Sequence, residues 1–172
     1  CLPEYHDYWE TCCNSYRNGP DSHGEWDNLL EAYRGWFHMP CPAKVGSFFD
    51  LDMLDVGKCV FTNKEGFYNE DEQIVVYSMR AFLNSPIQIS SVLDDVSDFE
   101  MALLCNEEII AINQDAAFET ALPVLRYEKE NSVLDVFEKK LEDGSYAYAV
   151  FNMGEKEETV SLDFAEESWP TS

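Results

Sequence analysis

The stretch Cys12-Cys13-Asn14-Ser15-Tyr16-Arg17-Asn18-Gly19-Pro20-Asp21, closed by Trp26, reads as a short buried strand running into a Gly-Pro loop. Residues 25–37 follow with Trp26, Leu29, Leu30, Tyr33 and Phe37 at helical spacing, so a helix with one buried face comes after the strand. At the junction Arg17 ends the strand and Asp21 lies four residues on. A carboxylate delivered by a strand-end loop beside a fixed cation suits acid/base chemistry on a polar substrate. The same pair also suits a loop that is merely held by an Arg–Asp contact.

The pattern then repeats twice. Met39-Pro40-Cys41-Pro42 breaks the helix, because two prolines in three residues forbid its continuation. Residues 45–49 form a second short strand that ends at the acidic loop of Asp50, Asp52 and Asp55, and an irregular connection spans 57–68. Asn69-Glu70-Asp71-Glu72 is an acidic helix start that favours the macrodipole. It leads into Ile74, Val75, Tyr77, Met79, Phe82 and Leu83 until Pro86 stops the helix. Ile87-Gln88-Ile89-Ser90 is the third strand, and Ser97-Asp98-Phe99-Glu100 has the form of a capping box opening a helix that runs to residue 106. Residues 1–11 read as a strand-end loop and a short polar helix. Strands alternating with helices imply a parallel sheet with right-handed crossovers.

From Val124 the rhythm changes to period two. Residues 124–127, 132–138, 146–152 and 159–164 alternate, separated by turns such as Glu142-Asp143-Gly144 and Met153-Gly154-Glu155. This predicts an antiparallel region. The fold class is therefore α/β followed by all-β, with the boundary between residues 116 and 123.

Composition limits the partners. The chain has 172 residues, 45% of them hydrophobic and 14% aromatic, which supports a folded core. Its formal charge of −23 argues against nucleic acid or an anionic membrane surface, and suits a neutral substrate such as a sugar. No apolar run approaches the roughly 18–20 residues of a membrane-spanning helix. The chain opens on Cys1 rather than Met, which suggests an excerpt of a longer protein. Six cysteines with no C-x-x-C pair permit disulfides without requiring them; a zinc site with His6, His23 or His38 has no spacing to support it.

Phe48-Phe49-Asp50-Leu51-Asp52-Met53-Leu54-Asp55-Val56-Gly57 resembles the Trp-Asn-Asp-Pro-Asp-Met-Leu-x-x-Gly signature of the alpha-galactosidase family of glycoside hydrolases, which includes the alpha-N-acetylgalactosaminidases. Ile109-Ile110-Ala111-Ile112-Asn113-Gln114-Asp115 is similar to that family's Val-Ile-Ala-Ile-Asn-Gln-Asp segment. Met79-Arg80-Ala81-Phe82-Leu83-Asn84-Ser85-Pro86-Ile87 resembles its helix end and Ser-Pro-Leu pattern. Three segments in order and at the right spacing are more specific than any one.

The resemblance implies an eight-stranded (β/α) barrel followed by an antiparallel β domain, with the active site at the C-terminal strand ends. Residues 1–117 would supply the last three βα units of the barrel, and 118–172 the start of a β-sandwich-type domain. It further implies double displacement by two carboxylates with retention, releasing a terminal alpha-linked sugar, an alpha-galactoside. Asp21 falls on the family's general acid/base, in the Cys-Asn-x-Trp-Arg-x-x-x-Asp setting. Arg17, Asp50, Asp52 and Met53 fall on substrate-binding positions, and Trp26 on a structural tryptophan. No cofactor and no metal are implied, and the partner is a carbohydrate. The nucleophile, an aspartate in a Lys-x-Asp setting, is expected upstream, so the isolated chain is expected neither to close a barrel nor to turn over substrate. A Cys1–Cys13 bridge is suggested by the resemblance; six reduced thiols are the alternative. Leu2-Pro3, Phe49, Leu51 and Ser91-Val92 depart from the family pattern and point to a divergent branch. A noncatalytic carbohydrate-binding relative is the alternative function. A plain acidic interaction module is a third, in which Arg17, Asp21 and Asp52 would not converge.

Overall fold

Two short parallel strands, β1 (Ser15–Tyr16) and β2 (Phe48–Phe49), pair as Ser15↔Phe48 and Tyr16↔Phe49. A parallel bridge between Leu54 and Ile89 continues the same side-by-side arrangement. The structure, a computed structural model, describes residues 8, 11–17, 19–22, 24–38, 45–58, 68–129 and 132–162. The Pro-rich break at 39–42, most of the 57–68 connection, the Cys1-Leu2-Pro3 start and the end of the 159–164 stretch lie outside the described residues.

Helix α1 (Trp26–His38) buries Leu29, Ala32 and Tyr33, spaced i, i+3, i+4, with Trp26 partly buried against the same core. The Phe37 side chain, expected on that face, is outside the description. Gly19 lets the preceding loop lie on this helix: a Cβ there would meet Ala32 Cβ at 2.5 Å. Helix α2 (Glu70–Phe82) opens with a reciprocal Asn69–Glu72 capping box and buries Gln73, Val76, Tyr77, Arg80 and Ala81. It closes with Asn84 in the left-handed region at φ 53 and the Ser85 amide bonded back to the Arg80 carbonyl at 2.9 Å, a Schellman-type end.

The third expected strand, at 87–90, forms only the bridge at Ile89, and the Ser90 hydroxyl donates to the Leu54 carbonyl and to Asp55. A 3₁₀ turn at Leu93–Asp95 leads to helix α3 (Asp98–Leu104), whose Ser97–Glu100 capping box forms as the sequence predicts. Glu100 does more than cap. Its carboxylate also accepts from Gln73 and lies over Gly57, which sits at φ 66 where a Cβ would come within 2.8 Å of it. Helix α3 ends at Leu104, and a separate helix α4 (Glu107–Asn113) starts at the Asn106 cap.

Strands β3 (Leu122–Lys129), β4 (Ser132–Lys140) and β5 (Tyr146–Asn152) form an antiparallel meander, with an irregularity between Pro123 and Leu125. Residues 159–162, expected to begin a fourth strand, carry no strand pairing. The three strands pack on the α/β part through one continuous cluster. Phe137 meets Tyr33 and Phe151 edge-on at 6.0 and 5.7 Å, and Phe82 meets Phe151 at 6.4 Å. Each such buried ring contributes on the order of 1.5–3 kcal/mol. The observed architecture is a small α/β part joined to an antiparallel sheet.

Candidate active site

Parallel pairing sets the geometry. With Tyr16 opposite Phe49, Arg17 and Asp50 emerge side by side where the two strands end, and the Asp50 amide donates to the Tyr16 carbonyl at 2.9 Å. Beyond Phe49 the chain alternates. Phe49 and Leu51 are buried in the core, while Asp50 and Asp52 turn to the cleft between the loops. The substitutions of Phe and Leu within the acidic signature therefore fill the core side of the loop.

Arg17 joins two of the expected carboxylates. One guanidinium nitrogen donates to Asp21 and the other pairs with Asp52 at 2.5 Å. The Ser22 amide donates to the second Asp52 oxygen at 2.7 Å, and the Asp52 amide donates to Asp50 Oδ1 at 2.8 Å. Ser15 donates to the other Asp50 oxygen at 3.4 Å. Helix α1 steadies the Asp21 backbone, whose carbonyl accepts from Asn28 at 3.2 Å.

The two carboxylates on Arg17 differ in access. The Asp52 side chain is 18% exposed and that of Asp21 is 59% exposed. Burial by itself would raise the Asp52 pKa, but the Ser22 and Met53 amides and the Arg17 guanidinium outweigh it and hold the carboxyl below its ordinary range. The hydrogen bond to Asp21 leads the effects that raise the Arg17 pKa, against the cost of burial. Asp52 is thus a fixed anion and Asp21 a reachable one.

Arg17, Asp50 and Asp52 line a cavity with Pro20, Ser22 and Leu29 whose free volume is about 10 Å³, room for a single water. Met53 contributes its backbone amide and carbonyl here, and its side chain is not among the cavity walls. Among the described residues no group of three His, Cys, Asp or Glu side chains is arranged to hold a metal ion. Cys12, Cys13 and Cys105 are free thiols among the described residues, and the suggested Cys1–Cys13 bridge involves Cys1, which lies outside them.

Three participants lie in or beside the quoted segments without being singled out as site residues. Ser22 contributes through its amide. Asp55, buried, accepts from Ser22 at 3.4 Å and from Ser90, tying the loop after β1 to the Ile89 segment. Arg80 reaches the Asp52 loop from helix α2. Beyond its place in the quoted 79–87 segment, its sequence signal is a lone cation inside an apolar helix face.

The chain is similar to several known proteins. A family model described as alpha galactosidase A matches residues 2–115. A probable alpha-galactosidase of Dictyostelium discoideum is 28% identical over 149 residues, covering 87% of this chain and 36% of the relative. Among solved structures, an alpha-galactosidase from Saccharomyces cerevisiae crystallised with raffinose is 27% identical over 74% of this chain and 27% of its own, with a TM-score of 0.61. A β-L-arabinopyranosidase of glycoside hydrolase family 27 from Geobacillus stearothermophilus shares the fold, with TM-score 0.74 and 22% identity over 91% of this chain and 36% of its own. The chain thus spans only 36% or less of the length of these relatives. With two-thirds of its residues inside the family match, the chain belongs to the alpha galactosidase A family.

Proposed function

We propose that this chain carries the acid/base half of a retaining glycoside hydrolase that releases a terminal alpha-linked sugar, an alpha-galactoside. The observation that carries the proposal is the Arg17 fork, which gathers Asp21 and Asp52 at the end of β1. In this reading residues 1–117 are the last three βα units of a (β/α)₈ barrel, and 118–172 begin a C-terminal β domain.

Asp21 is assigned as general acid/base. It protonates the glycosidic oxygen as the aglycone leaves, then takes a proton from the water that releases the sugar. Its exposure supports that role, since the carboxyl must reach a bond in a ligand arriving from solvent. Arg17 binds a sugar hydroxyl and keeps Asp21 aimed. Asp50 and Asp52 form the anionic floor that accepts from hydroxyls, and Met53 contributes an apolar contact for the ring. A retaining reaction needs a second carboxyl roughly 5–5.5 Å from the first, to attack the anomeric carbon. We assign that nucleophile to the part of the relatives' length that this chain does not span.

The test is Asp21→Asn in the complete protein, assayed on a chromogenic alpha-galactoside. Turnover is expected to fall by about 10²–10⁴-fold. Undiminished turnover would move the acid/base elsewhere. Tight galactoside binding by calorimetry, with no sugar released by the unaltered protein, would establish the noncatalytic reading instead.

A further inference from the structure

The loop 50–53 holds two aspartates in irregular backbone, and Asp52 sits at φ 71, a left-handed conformation that non-glycine residues rarely adopt. Such a conformation persists where its surroundings over-determine it. From above, Asp52 is held by Arg17 and the Ser22 amide. From below, it is held by Arg80.

Arg80 is fully buried, at 0% exposure, on the inner face of helix α2 among Val76, Tyr77 and Ala81. Its Nη2 donates to three consecutive carbonyls, those of Leu51 at 3.0 Å, Asp52 at 3.3 Å and Met53 at 2.8 Å. Nη1 donates to the Val76 carbonyl at 2.9 Å, and Nε has no acceptor. One nitrogen with two hydrogens serving three carbonyls is a bifurcated clamp on a single turn of chain. Among the described residues no carboxylate forms an ion pair with this guanidinium. Burial lowers its pKa, partly offset by Tyr68 and by the nearby Asp55, Asp52 and Asp50. A buried cation without a paired anion costs stability, and an apolar residue would suit this helix face. What the arginine supplies that an apolar residue could not is the grip on the loop.

We propose that Arg80 is a positioning residue for the candidate active site, fixing the carbonyls of residues 51–53 so that Asp52 meets Arg17 and holds it toward Asp21. The proposal rests on the reading of Arg17, Asp21 and Asp52 as a sugar site. It extends that reading to a side chain that touches no substrate.

The test compares Arg80→Lys, which keeps a charge but cannot span three carbonyls, with Arg80→Met, which keeps only the stem. Each is made in the complete protein, alone and with Asp52→Asn. Thermal unfolding first establishes that a variant folds. The Asp52 carboxyl is then titrated by ¹³C NMR, and kcat/KM is measured on a chromogenic alpha-galactoside. In the folded variant the Asp52 titration is expected to move up toward the ordinary carboxylate range, with kcat/KM falling by roughly 10-fold or more, as displaced catalytic groups do. With Asp52→Asn already present, the same Arg80 change is expected to cost less than about twofold, because the two act through one contact. An unmoved Asp52 titration in folded Arg80→Lys, or an equal cost in both backgrounds, overturns the proposal. A protein that releases no sugar before any substitution overturns the glycosidase reading instead, and the Asp52 titration then decides the role of Arg80.

Discussion

The molecule holds two clusters of charge built on opposite terms. At the strand ends, Arg17 is shared between Asp21 and Asp52 in contact with solvent. Under the antiparallel sheet, Asp135 is fully buried and accepts two bonds from Arg126, at 2.8 and 3.0 Å, and a third from the Tyr33 hydroxyl. Nearby, Lys139 is buried with its Nζ on the carbonyls of Ala81 and Ile112 and on Asn84 Oδ1, at 3.0, 2.6 and 2.6 Å. In the buried cluster each charge is matched on several sides, and it ties the sheet to helices α1, α2 and α4. At the site one cation divides itself between two anions, and one of those stays accessible. The first arrangement suits holding and the second suits exchange with a ligand.

The comparison breaks most visibly at Asp135. Asp135→Ala would take the shared buried anion away from Arg126 and the Tyr33 hydroxyl, and is expected to cost about 3–5 kcal/mol in urea unfolding. A loss under about 1 kcal/mol would show that the buried cluster is no firmer than the surface. Lys139 gives the next largest effect. Burial pushes its pKa down to about 8, from the free lysine value of 10.5. Between those values the unfolded chain binds more protons than the folded one, so stability contributed by this group rises with pH. A gain of about 2 kcal/mol between pH 8 and 10 is the upper bound for one proton. Lys139→Met should flatten that rise, as urea midpoints across the range would show.

The site should respond weakly in stability and strongly in chemistry. Arg17→Met is expected to change unfolding by about 0–1 kcal/mol, as exposed pairs do, while in the proposed reading the complete protein's alpha-galactoside turnover collapses. Equal losses in both measurements would erase the contrast between the two clusters. The smallest expected effect is at acid pH. The Asp52 carboxyl titrates below its ordinary range, so its contribution is intact above the unfolded value and fades as pH falls through the folded one. Asp52→Asn should remove that part of the acid loss, read as a shallower fall in unfolding midpoint below pH 4.

Much of this was legible in the residues, but unevenly. Asn69–Glu72 and Ser97–Glu100 announce their caps, because capping is a local transaction among four residues. The Arg17–Asp21–Asp52 constellation was marked by the acidic signature and the strand-end arginine. The expected strands at 12–17 and 45–49 contract to two residues each, since among the described residues only Ser15–Tyr16 and Phe48–Phe49 find each other. On β4 the period-two reading hides the outcome. Leu134, Asp135, Val136, Phe137 and Lys139 are all buried, because one face meets the helices and the other is also covered. A period-two pattern with charges in it reads as half-exposed until the helix ends that receive those charges are known. Arg80 was illegible for the same reason: its partners are carbonyls, and carbonyls leave no mark on sequence.

Gly57 shows what such crowding implies for variation over time. Its φ of 66 already disfavours any side chain, and the space a Cβ would need belongs to the Glu100 carboxylate that caps α3 and accepts from Gln73. A drift away from glycine there would strain the turn and, in the same step, displace the carboxylate that caps a helix whose N-cap, Ser97, lies forty positions later. Two independent penalties at one codon leave no gradual route, so in a saturation library this position should stay fixed while the exposed Asp94 and Asp98 beyond it change freely.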